Sequence, residues 1–167
     1  MTATNFAAYF NHYIKQVDTQ EPVTALEETE REFLRLLAKV DDEKGLYQYE
    51  ADKWSIKEVI LHVIDAERVF AYRAMSFARN DKTELAGFDD QLYTENSGAN
   101  NRPMDELLAE FGAVRRASIA LFNSFDEGMW QRIGTANSIS IDVKSIAYLI
   151  AGHCRHHGKI LQERYGV

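Results

Sequence analysis

Three histidines in this chain stand where a shared ligand would suit them. His62 lies in a central amphipathic segment, and His153 and His157 are one turn apart near the C-terminus. The pair falls inside the apolar stripe of its segment: Val143, Ile146, Ala147, Ile150, His153, His157, Ile160 and Leu161. That spacing is the signature of a helix burying one face. Imidazoles at i and i+4 share a face and are separated by about 6 Å of axial rise. Buried polar rings cost free energy unless something bonds them. A metal ion is the simplest partner the two could share, with His62 as third ligand from another helix. The alternative is a pair of partly buried histidines bonded to backbone or to carboxylates, since a bare His-x-x-x-His is a weak motif.

Three neutral imidazoles suit zinc, nickel or ferrous iron. Cys154, not glutamate, follows His153, so the metalloprotease helix motif His-Glu-x-x-His is absent. A di-iron bundle needs Glu-x-x-His on two helices and two further glutamates, and that pattern fails as well. Three protein ligands leave positions open for water or substrate, as catalytic sites do, whereas structural zinc sites are closed. Cys154 points about 100° round the helix from His153 and reads as a packing residue. His156 also points off the ligand face, and nothing connects His12 to the others. Glu58 and Asp65, each one turn from His62, are orienting partners for its ring or simply solvated carboxylates. Trp54 reads as a hydrophobic staple or core anchor. Arg115 and Arg116 read as surface ion-pair partners, with anchoring of an anionic ligand as the alternative.

The elements that would carry these residues are helical. A short leading segment places Phe6, Tyr9, Phe10, Tyr13, Ile14 and Val17 at helical spacing. A second runs from about Pro22 to Val40, with proline suited to a first helical position. The third opens on Ser55-Ile-Lys-Glu58, a capping box, and carries Val59, Ile60, Val63, Ala66, Phe70, Ala74 and Phe77 on one face. Residues 81–102 are unpatterned, and loops this long in compact domains are often functional. Pro103 opens the fourth segment, faced by Leu107, Leu108, Phe111, Val114, Ser118, Leu121, Phe122 and Phe125. Ser138-Ile-Ser-Ile141 alternates and predicts a brief extended piece. Asp142 is an N-cap for the last helix, which runs to about Arg164 with Gly166 beyond. The expectation is an all-α four-helix bundle with long crossover connections and a short extra N-terminal helix, as one domain over residues 1–167.

Composition narrows the function. A formal net charge of −7 has the wrong sign for phosphate backbones, and no basic stripe offsets it. A single cysteine excludes an internal disulfide and suits a reducing compartment. No window approaches the ~20 apolar residues of a membrane span, and residues 1–13 lack a secretory pattern. The expected setting is cytoplasmic, with a small-molecule partner and neither nucleic acid nor membrane.

With those residues in place, the chain resembles the DinB-like superfamily, which includes the YfiT-like metal-dependent proteins. The resemblance runs through Lys53-Trp-Ser-Ile-Lys-Glu-Val-Ile-Leu-His62, Asp65-Ala-Glu-Arg68 and Gly87-Phe-Asp-Asp90. It continues through Val114-Arg-Arg116 and Ala151-Gly-His-Cys-Arg-His-His157, covering residues 26–165. It implies a four-helix bundle holding a divalent metal on His62, His153 and His157, commonly as a homodimer, with His156 at a frequent extra position that is not a ligand. Activities in related members include metal-dependent transfer of low-molecular-weight thiols and isomerisation of maleylpyruvate. Three functions follow as expectations: a thiol S-transferase acting on a small electrophile, a hydrolase using metal-bound hydroxide, or a non-catalytic metal-binding dimeric bundle.

Overall fold

The structure, a computed structural model, describes residues 11–17 and 21–167. Residues 11–14 form a helical turn; Phe6, Tyr9 and Phe10, expected in the leading helix, lie outside the described residues. The four long helices are α1 (Pro22–Leu37), α3 (Ile56–Ala78), α5 (Met104–Asn123) and α7 (Val143–Tyr165). Short helices α2 (Asp42–Gly45), α4 (Asp90–Glu95) and α6 (Glu127–Trp130) lie in the connections, with a 3-10 turn at Ala99–Asn101. Helix α1 ends at Leu37, three residues before Val40; α2 then takes Asp41 as its cap, the Asp41 carboxylate accepting from the Lys44 amide.

Local chemistry sets the ends of the two helices that carry histidines. The Ser55 hydroxyl accepts from the Glu58 amide while the Glu58 carboxylate accepts from the Ser55 amide, so the capping box is complete. At α7 the Asp142 carboxylate accepts from the Ser145 amide, and Gly166 closes the helix at φ 66°. The alternating stretch forms a hairpin, β1 (Ile133–Ala136) against β2 (Ile139–Asp142), with positive φ at Asn137 and Ser138 in its two-residue turn.

Packing gives the ring order α1, α7, α3, α5. Trp54 meets Tyr165, and His62 meets His157 and His153, so α3 and α7 are antiparallel. Lys57 bonds the Arg102 carbonyl and Glu67 bonds Arg115, so α3 and α5 are parallel. Parallel neighbours need a return connection as long as the helix, here 23 residues and ~34 Å. Residues 79–103 make that return. Arg73 bonds the Ala86 carbonyl part-way along, and Asn100 reaches Ser55 and Glu58 at the far end. The long unpatterned stretch is therefore the crossover, and it runs back along the helix that carries His62.

The core has two apolar clusters, one around Leu26, Phe70, Phe77, Phe122 and Ile146, the other around Phe33, Ile60, Leu107, Phe111 and Leu161. Between them lies a polar layer. Arg115, read from sequence as a surface group, is wholly buried and bonds both Glu67 carboxylate oxygens, the Leu26 carbonyl and the Thr29 hydroxyl. Burial opposes its charge, yet the Glu67 carboxylate and Cys154 together raise its pKa. No helix among the described residues is long and apolar enough to cross a membrane.

Candidate metal centre

His62 sits in the second turn of α3, and His153 and His157 sit either side of the middle of antiparallel α7, facing His62. The His153 Nε2 lies 3.1 Å from His62 Nε2 and 3.2 Å from His157 Nε2. All three ligand atoms fall within 4.8 Å of one another. Nitrogens bound at 2.0–2.1 Å around one tetrahedral ion stand roughly 3.3 Å apart, a spacing that the two distances at His153 match. Three lone-pair nitrogens turned toward one point repel unless a proton or a cation lies between them.

Aromatic walls hold the rings in this pose. The Trp54 indole packs on His62 with centroids 4.7 Å apart, and its carbonyl accepts from the Tyr165 hydroxyl, tying the wall to the end of α7. Tyr13 and Phe70 meet His153 edge-on at 5.4 and 6.1 Å. The Tyr13 backbone approaches so closely that a Cβ on Gly152 would lie 2.0 Å from its carbonyl oxygen, which is why a glycine precedes His153. His62 and His153 are each 7% exposed. Burial, opposed by the Asp90 carboxylate, pulls the His62 pKa down to about 4. Burial and then the neighbouring imidazoles push His153 and His157 well below the ordinary value. The three rings are neutral near pH 7, the form that ligates metal.

The remaining sequence candidates separate cleanly. Glu58 is spent on the cap and on Asn100, and Asp65 pairs with Arg68 at 3.2 Å, so both serve α3 and not the His62 ring. Cys154 is buried packing: burial raises its thiol to about 11, and its Sγ lies 3.8 Å from the Thr29 carbonyl. His156 points off the cluster, and His12, which had no connection in the sequence, stacks edge-on against it with centroids 5.6 Å apart. The roles of Trp54 and Tyr13 as ring supports were not foreseen.

A family model described as the DinB superfamily matches residues 25–161. The chain belongs to the DinB superfamily. Among solved structures, this DinB-superfamily chain is similar to YfiT from Bacillus subtilis, described as a probable metal-dependent hydrolase with an unusual four-helix bundle topology. The TM-score is 0.74 at 18% identity, over 91% of this chain and 89% of that one. No curated protein matches it.

Proposed function

We propose that this DinB-superfamily protein is a metal-dependent enzyme that joins a low-molecular-weight thiol to a small electrophile. His62, His153 and His157 would hold a divalent ion. The observation that carries the reading is the convergence of three neutral Nε2 atoms with no carboxylate in the cluster, among the described residues. When bound, such an ion supplies Lewis acidity undiminished by ligand charge, which favours the thiolate form of a thiol at neutral pH. The imidazoles stay neutral because burial disfavours their protonation, and Trp54, Tyr13 and Phe70 keep bulk water from the nitrogens. The net reaction forms a carbon–sulfur bond, breaks the bond to the leaving group, and releases the thiol proton to solvent. No base is required of the helix turn between His153 and His157, which offers no carboxylate.

One observation favours hydrolysis as a second reading. The Asp90 carboxylate acts electrostatically on His62, so the crossover brings a potential base toward the cluster, and YfiT carries a hydrolase description. The test is conjugation of cysteine to chlorodinitrobenzene, alongside cleavage of nitrophenyl acetate, by zinc-, nickel- and iron-loaded protein. Conjugation that disappears in His153→Ala supports the transferase. Ester cleavage without thiol, lost in Asp90→Asn, selects the hydrolase instead.

A further inference from the structure

The described residues bury three basic side chains: Lys57, Arg73 and Arg115. Lys57 pairs with Asp42 at 2.8 Å and Arg115 with Glu67 at 2.8 Å. Arg73 is 7% exposed, yet no carboxylate among the described residues pairs with it. Its Nη2 donates to the Ala86 carbonyl at 2.9 Å, and its guanidinium lies 5.7 Å from the Phe70 ring and 5.9 Å from the Phe88 ring. Its partners are thus one neutral carbonyl and two aromatic faces, and no carboxylate among the described residues balances its charge. Burial alone acts on this guanidinium and lowers its pKa.

Its position connects it to the histidines. Arg73 is eleven residues beyond His62 on α3, about 16 Å along the helix and only about 20° around it. Side chains lean toward the helix N-terminus, so the guanidinium leans back toward His62. Phe70 is near both, its ring centroid 5.7 Å from the Arg73 guanidinium and 6.1 Å from the His153 ring, which it meets edge-on. Phe88 and Tyr93 extend the same aromatic wall from the crossover, 5.5 Å apart.

We propose that Arg73 is the anion-recognising residue of the histidine site, receiving a carboxylate on the small molecule whose reacting end lies at His62, His153 and His157. This rests on the reading of that cluster as a reaction centre. The planar fork of a guanidinium matches two carboxylate oxygens, and one positive charge balances one carboxylate. A carboxylate there completes Arg73 as Asp42 completes Lys57 and Glu67 completes Arg115. Phe70 and Phe88 would line the apolar chain between the charged end and the reacting end.

The experiment is calorimetric binding to the metal-loaded protein of mercaptohexanoate, mercaptohexanol and hexanoate. Mercaptohexanoate is expected to bind more tightly than mercaptohexanol, and Arg73→Gln to weaken it by about ten- to a hundred-fold while leaving the alcohol unchanged. Hexanoate binding should persist in His153→Ala and vanish in Arg73→Gln. Equal affinity of wild type for the acid and the alcohol overturns the proposal. So does an equal loss for both in Arg73→Gln, which would make the arginine only a strap for the crossover. If hexanoate binding depends on Arg73 but neither thiol responds to the metal, the thiol reading fails and the anion site stands.

Discussion

At the scale of single residues, His62 and His153 combine a buried ring, and His157 a half-buried one, with a lowered pKa, and both follow from their place in the α3–α7 seam. Replacing His157 by alanine removes one of three nitrogens that converge on a point, and the protein should lose most of its bound metal; His156→Ala, off that face, should keep it. Elemental analysis of the two purified variants decides the matter, and full metal content in His157→Ala overturns the ligand assignment. The same rings set a pH dependence. His62 titrates near 6.5 unfolded and about 4 folded, so between those values the unfolded chain binds the additional proton. Metal-free protein should therefore lose stability as pH falls from about 6.5 to about 4, and change little from this source above that window. Thermal melts of wild type and His62→Phe across the window measure it, with a flatter profile expected for the variant.

At the scale of elements, the polar layer joins all four helices: Thr29 of α1, Glu67 of α3, Arg115 of α5 and Cys154 of α7. A buried pair of this kind sets register more than it adds stability, because taking both charges from water offsets much of their attraction. Arg115→Met leaves Glu67 charged and unpaired, and should cost about 3–5 kcal/mol in urea unfolding. The double variant Arg115→Met/Glu67→Leu should recover most of that loss. A single variant as stable as wild type would show that the layer contributes little. The contact between the leading segment and α7 is equally specific. A methyl at Gly152 would strike the Tyr13 carbonyl, so Gly152→Ala should cost about 1–3 kcal/mol. It should also raise hydrogen exchange across residues 11–17, and unchanged exchange there would contradict the close approach.

At the scale of the molecule, the helix grooves leave apolar surface uncovered. Tyr72 and Met75 of α3 are 53% and 39% exposed beside Ala117 and Leu121 of α5. Ala113, Ala117 and Ala120 form an exposed small-residue face on α5, which permits close approach of another helix. A two-fold-symmetric homodimer is the expected assembly. Light scattering at micromolar concentration should report about twice the 19.1 kDa chain mass, and a particle at the chain mass refutes it.

The sequence alone determined the helical elements and the ligand candidates, because both are periodic signals. Ser55 with Glu58, Asp142, Pro22 and Gly166 mark ends through local hydrogen bonds, and His153 with His157 are fixed on one face by helix pitch. Charged residues inside apolar stripes were legible in principle: Glu67 lies between Val63 and Phe70, Arg73 between Phe70 and Phe77, and Arg115 between Phe111 and Phe122. What they pair with was not legible, since a partner 48 residues away depends on which helices are neighbours. Tertiary structure alone decided the parallel pairing of α3 with α5, and hence that residues 79–103 must run back past the histidines. It likewise decided that Arg73 is buried without a carboxylate, that Trp54 faces His62, and that Tyr13 backs His153. These are contacts between segments far apart in the chain, and no local spacing encodes them.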